Sequence, residues 1–193
     1  MNKELMVHVI TNFAGVGGAE MMLARLIKQT QNEYNHVVIS LMKTSEVYAD
    51  TLAICSSHYA LAWNGLNSFA VIAKLKKLLQ QLAPKTVQCW MYHANVLTSL
   101  SVLGLANKPK VFWGIHHSLA SPKEESIATK LSLAISKMLS AKPAGIIYCA
   151  HSSLHQHQQY GLNNSNAQVI ANGVSLDKFQ LNSALHDPIV IGF

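Results

Sequence analysis

Charge is scarce in this sequence: 12% of its 193 residues are acidic or basic, and Arg25 is the only arginine. A chain that is half apolar and so weakly charged lies far from the disordered class. Its length suffices for one well-buried domain, or for one domain and the start of a second. No apolar run approaches the roughly 18 to 20 residues that span a bilayer, and Met1-Asn2-Lys3-Glu4 begins no signal-like hydrophobic stretch. The expectation is a cytoplasmic protein. Cys55, Cys89 and Cys149 are widely spaced and odd in number, so they suggest neither a disulfide framework nor a Cys-x-x-Cys metal site. They read as buried, reduced thiols. With no arginine cluster and no aromatic-rich basic patch, nucleic acid is not an expected partner. Basic residues still exceed acidic ones by 15 to 9, which favours an anionic partner, either a phosphorylated ligand or an acidic membrane surface.

What is present is an alternation of short β-branched or apolar runs with longer helical patterns, the signature of βαβ units and a parallel sheet. Strands are expected at Leu5–Ile10, His36–Leu41, Tyr59–Trp63, Thr86–Met91, Lys110–Ile115, Gly145–Cys149 and Gln168–Ala171. Helices are expected from Gly18, over Ser68–Leu82 and Asn95–Leu105, from Pro122 to Ser140, and from a Ser152 cap to Tyr160. The fold class is therefore α/β, a Rossmann-like parallel sheet with helices on both faces. Ile189–Phe193 reads as an apolar strand opening a second unit, which divides the chain into residues 1–183 and 184–193.

Four places could carry chemistry. Ala14-Gly15-Val16-Gly17-Gly18-Ala19-Glu20 joins a strand to an amphipathic helix, where glycines let backbone amides approach a phosphate. The same loop also reads as a tight crossing with Glu20 well placed in the first helical turn, and the two readings stand equal on the sequence. A dinucleotide fingerprint would need glycine at position 20, and no acidic residue ends the second strand, so an NAD site is disfavoured. No Gly-x-x-x-x-Gly-Lys-Ser/Thr occurs, which argues against a P-loop.

His93 and the pair His116-His117 follow strand ends, where open α/β sheets bind ligands. Taken singly, each is better explained as a satisfied structural histidine. His151, His155 and His157 raise a metal site, but only the first two share a helix face, so a solvated helix is preferred and no metal is expected. Lys123, Lys130 and Lys137 recur beside Ile127, Leu131 and Ala134. They suit either a basic surface for anionic lipid or lysines flanking a core-facing helix, and the latter is preferred.

Four segments, Ile10-Thr11 through Gly17-Gly18-Ala19-Glu20, Trp90 through Asn95, Trp113 through Ser118, and Val169-Ile170-Ala171-Asn172-Gly173-Val174 to Phe179, together resemble family 4 glycosyltransferases in the right order. The resemblance, closest to bacterial O-antigen and capsule enzymes, implies a GT-B fold and a retaining, metal-independent reaction. The chain would be the N-terminal, acceptor-side domain. A nucleotide-sugar donor and a glycan or polyprenyl-diphosphate-linked acceptor would be its partners, with peripheral contact at the inner face of the plasma membrane left open.

Carried over by residue, Gly17 and Gly18 would approach the donor diphosphate, and Asn172 and Gly173 would border the cleft. His93, His116 and Glu20 would line the acceptor side, and His117 would contact the transferred sugar as the catalytic residue. Met21 stands where the family often has arginine. His116 occupies the arginine position of an Ile-Arg-His-Ser pattern, so which histidine of the pair faces the cleft is open, with His117 favoured. The rival readings are an NAD-dependent nucleotide-sugar epimerase or oxidoreductase, and a non-catalytic carbohydrate or nucleotide-binding module.

Overall fold

A computed structural model describes residues 3–173. Seven strands form one parallel sheet: β1 (Glu4–Ile10), β2 (Tyr34–Ser40), β3 (Ser57–Ala60), β4 (Thr86–Trp90), β5 (Lys110–Ile115), β6 (Gly145–Tyr148) and β7 (Ala167–Val169). Their order across the sheet is β3-β2-β1-β4-β5-β6-β7. The helices are α1 (Gly18–Thr30), α2 (Ala49–Ala53), α3 (Ser68–Leu82), α4 (Tyr92–Ser101), α5 (Ile127–Leu139) and α6 (His151–Tyr160).

Parallel strands are buried on both faces, and alternation along each strand supplies two apolar layers. Val9, Ile39, Cys89, Trp113 and Ile146 sit side by side in register, all essentially inaccessible. They form the row onto which α3, α4 and α5 pack through Val71, Leu75 and Leu79, Ala94 and Leu97, and Leu133. On the opposite face Ile10 and Val38 meet Leu23 and Ile27 of α1 and Leu52 of α2. Helices thus cover both faces, as the sequence pattern requires.

Several boundaries differ from the sequence reading, each for a local reason. The first turn of α4 begins three residues early because Met91 turns the chain sharply at φ 74°, ψ 162°. Helix α5 begins at Ile127 rather than Pro122, where Ser126 caps it by accepting from the Thr129 amide at 3.2 Å. Helix α6 starts one residue before Ser152, with Ala150 at the cap. Cys89 is buried, whereas Cys55 and Cys149 are only half-buried. The orientation of α5 is a larger correction. Ile127, Leu131 and Ala134 face outward, and Ser132, Leu133 and Ser136 face the core. The boundary expected at 183–184 and the strand at 189–193 lie outside the described residues.

Histidines take an unusual share of the interior. His8 and His36 stack and join Nε2 to Nδ1 at 3.0 Å, and the Trp90 indole N–H donates to His8 Nδ1. Burial, reinforced by His36, pushes His8 down to about 3. His36 and His157 are lowered as well, again chiefly by burial. A depressed folded-state value means that, below about pH 6.5, the unfolded chain binds protons that the native state refuses. Stability is therefore full above pH 6.5 and is lost as pH falls from there toward 3. Urea midpoints measured between pH 7 and pH 5 should fall steadily; a flat profile would contradict the neutral assignment.

Candidate functional site

In an open parallel sheet the ligand crevice forms where connections leave neighbouring strands in opposite directions. Here that point lies between β1 and β4. From β1 the chain turns by way of α1 toward β2 and β3, then returns through α3 to β4 and continues outward to β7. At the carboxyl ends of these two strands is a cavity of about 230 Å³, whose wall includes Thr11, Asn12, Glu20, His93, His117 and Glu125. It is smaller than the roughly 300–1,000 Å³ of sites that enclose a whole drug-sized ligand, so it suits one end of a larger molecule.

The wall is built from three strand ends and the helices α1, α4 and α5. After β1, Phe13 is anchored by stacking on Tyr48 with ring centroids 4.2 Å apart, and its amide donates to the Ser40 hydroxyl and the Lys43 carbonyl. The glycine loop follows, with its carbonyls held from outside: Tyr48 Oη donates to Gly15 at 2.8 Å and Ser45 Oγ to Ala14 at 3.2 Å. Gly17 is the residue before α1 and Gly18 its first, so amides without intrahelical acceptors gather at a helix N-terminus. A side chain at Gly17 would collide with the Glu20 carboxylate, whereas Gly18 meets nothing within 4 Å.

From β4, the strained turn at Met91 aims Tyr92 and His93 at the crevice. The φ, ψ pair of Met91 lies in a region essentially reserved for glycine, and its amide is tied to the Gly114 carbonyl at 2.9 Å. His93 packs on Trp63 with centroids 4.9 Å apart. Burial lowers its pKa, against a smaller opposing pull from the Ala128 carbonyl.

From β5, neighbouring histidines diverge. His117 turns into the crevice, where its Nε2 meets Glu125 Oε1 at 2.7 Å and its ring stands edge-on to Tyr92. His116 goes to the other side of the sheet and stacks on Trp90 with centroids 5.0 Å apart. Its pKa is lowered by burial and partly restored by the nearby Asn172 side chain.

The described residues therefore bring Glu20, His93 and His117 together, with Gly17 and Gly18 beside them at the start of α1. His116 and Asn172 form a separate contact, and the Gly173 carbonyl accepts from Arg25 at 3.1 Å.

Four contributors escaped the sequence reading: Glu125, Tyr92, Ser153 and, in its observed role, His157. Glu125 falls in a stretch that the sequence assigns to helix, and only the loop ahead of α5 carries it to His117. Tyr92 falls just beyond the strand expected over Thr86–Met91 and opens α4. Its hydroxyl donates to Nε2 of His157, whose Nδ1–H donates to the Ser153 carbonyl at 2.7 Å. That pair of bonds fixes both the His157 tautomer and the Tyr92 ring. Ser153 also donates to the His117 carbonyl at 2.7 Å, so one helix supports both neighbours. His151 and His155 are exposed while His157 is buried, and no group of three or more candidate metal ligands exists among the described residues.

Unpaired polar atoms line the crevice. Thr11 Oγ1, Asn12 Oδ1 and His93 Nε2 are buried without hydrogen-bond partners. Leaving such a group unsatisfied costs about 1–3 kcal/mol, which a ligand hydroxyl can recover. With two carboxylates and two imidazoles beside them, the arrangement can grip a polyhydroxylated molecule, bear on a developing charge and hold a proton near its centre.

Fold and crevice define a Rossmann-like domain with its ligand face at the carboxyl edge of the sheet. The family described as Glycosyltransferase Family 4 matches residues 16–178, and the chain belongs to that family. None of the curated proteins matches it in sequence. Among solved structures it is similar to the Anabaena protein HepE in complex with UDP-glucose, at 16% identity and TM-score 0.70 over 89% of this chain and 45% of that one. It is also similar to the lipopolysaccharide outer core galactosyltransferase WaaB in its apo form, at 15% identity and TM-score 0.68 over 89% and 46%. A UDP-N-acetylglucosamine 2-epimerase from Rickettsia bellii shares the fold at 12% identity and TM-score 0.60 over 89% and 45%. At such identities the likeness is one of fold, that of GT-B glycosyltransferases, and the chain spans less than half the length of each relative.

Gly114 lets β5 pass close to β4 beneath the site. A β-carbon there would lie 2.8 Å from the Cys89 carbonyl oxygen, which is backbone and cannot move aside. Gly114→Ala should lower unfolding stability by about 1–3 kcal/mol, read from urea denaturation.

Proposed function

We propose that the protein containing this chain is a retaining glycosyltransferase. It moves a hexosyl group from a nucleotide-sugar donor to a hydroxyl of a glycan or polyprenyl-diphosphate-linked acceptor in bacterial polysaccharide biosynthesis. The observation that carries this reading is the crevice between β1 and β4, where Glu20, His93 and His117 meet unpaired buried polar atoms beside the start of α1. Family membership supports it. So do the UDP-glucose complex of HepE and the galactosyltransferase description of WaaB, which make a uridine nucleotide the first donor to try.

In this reading residues 1–183 are the acceptor-side domain and residues from 184 begin the donor-side domain. Gly17 and Gly18 present amides to the donor diphosphate, where the helix dipole stabilises the charge that grows on the leaving group. The bond from the anomeric carbon to the diphosphate oxygen breaks, and the acceptor oxygen bonds to the same face. The acceptor proton passes to the departing phosphate. His117, steadied by Glu125 and Tyr92, contacts the transferred sugar. His93 and Glu20 bind the acceptor, while His116, Asn172 and Gly173 border the cleft toward the donor half. The nucleotide-sugar is a substrate, and the scheme calls on no metal or other cofactor.

The test is transfer by the full-length protein from UDP-hexoses to a polyprenyl-diphosphate-linked glycan, with the product anomer read by proton NMR. Retention is expected, and His117→Ala should lower kcat by at least about a hundredfold. Turnover unaffected by that substitution would remove His117 from its role, and an inverted anomer would overturn the mechanism.

A further inference from the structure

Charge is unevenly divided along the chain. Residues 3–50 carry four basic and five acidic side chains, whereas residues 51–173 carry ten lysines against only Glu124 and Glu125. The second stretch therefore has a net charge of +8, and it contains α3, α4, α5 and α6. Of its two glutamates, Glu125 is turned inward onto His117.

Helix α5 presents an unexpected surface within this basic half. Ile127 is 86% exposed, Leu131 61% and Met138 80%, and Ala134 between them is exposed too. Spacings of four, three and four residues place all four on one stripe. The opposite side, Ser132, Leu133, Ser136 and then Ser140, is buried. Beside Leu133 the packed face is made of small hydroxyl side chains, while Ile127, Leu131 and Met138 face solvent. The sole charged residues of α5 are Lys130 and Lys137, both exposed along one flank of the stripe. On the far side of α4, Leu66 and Phe69 at the start of α3 are also almost fully exposed. Right-handed crossovers run helices antiparallel to the strands, so the starts of α3 and α5 both lie at the edge where the crevice opens.

We infer that the outer face of α5, with Leu66 and Phe69, docks on an anionic phospholipid bilayer. Ile127, Leu131 and Met138 would enter the boundary between headgroups and acyl chains while Lys130 and Lys137 reach lipid phosphates. Charge selects this occupant. In a symmetric pairing with a second copy the stripe would bring the same lysines toward one another, whereas an anionic bilayer neutralises them. The proposal stands apart from the transfer reaction, but the two meet on one helix: Thr129 of α5 lines the crevice two residues from Ile127 and Leu131. An acceptor anchored in lipid would thus be held beside the site.

The experiment is co-sedimentation of the full-length protein with vesicles of phosphatidylcholine alone or mixed equally with phosphatidylglycerol. Binding to the mixed vesicles, weakened by added salt, is expected. The pair Leu131→Glu and Met138→Glu should reduce partitioning at least about tenfold, and Lys130→Glu with Lys137→Glu should weaken it and flatten the salt dependence. Both pairs alter exposed positions, and unchanged circular dichroism and urea midpoints check the fold. Equal binding by wild type and variants would overturn the proposal, as would wild type that stays in solution with both vesicles. Resistance of Met138 to peroxide oxidation without vesicles would do the same, because another part of the protein or a second copy would then cover the stripe. None of these results bears on whether sugar is transferred, which a soluble acceptor can report separately.

Discussion

The pairing of β1 with β2 on one side and β4 on the other is the constraint from which the rest follows. Because every pair is parallel, all strand ends point to one edge, and each connection must recross the sheet through a helix. The chain leaves β1 toward β2 and leaves β4 toward β5, in opposite directions, so neither connection closes the gap above that pair. Thr11 and Asn12 on one side and Tyr92 and His93 on the other are left facing it. A change of strand order would remove the crevice without altering any residue in it.

What stands around the gap is held from behind rather than by its own flexibility. Tyr48 and Ser45 hold the glycine loop by its carbonyls, which leaves the amide side for a ligand. The Tyr92–His157–Ser153 arrangement works similarly beneath His117: α6 contributes no residue to the crevice wall yet fixes two of its neighbours. Neutral imidazoles suit this use because each has one donor and one acceptor nitrogen and can join two groups inside the protein. That joining requires the uncharged state, which burial of His157 favours against the smaller opposing pull of the Ser153 carbonyl.

Most of the sheet was legible because a period-2 or continuous apolar run leaves few alternatives; β5 and α3 match the sequence reading at both ends. Strand ends also marked His93 and the pair His116-His117 as candidates for the ligand edge, and the choice of His117 within the pair came only with the family resemblance. Orientation relative to neighbours was not legible. Periodicity reveals that α5 has an apolar stripe but cannot say which side meets the sheet, and the serines that pack against α4 look polar in sequence. Glu125 was hidden for a related reason, since its partner is eight positions away across a loop whose path depends on α6. The Gln156 side chain pins that loop by accepting from Ser118 and Leu119.

Met91 bears on how the site meets a ligand. A residue with a side chain, held where the backbone is normally open only to glycine, has few other conformations available in place. The turn it makes is fixed on both sides, by the Gly114 carbonyl before it and by the first turn of α4 after it. This wall of the crevice is consequently preorganised: binding need not freeze a mobile segment there, and the conformational cost has been met during folding. Affinity can then depend on the fit of hydroxyls to Thr11, Asn12 and His93 rather than on ordering the protein around them.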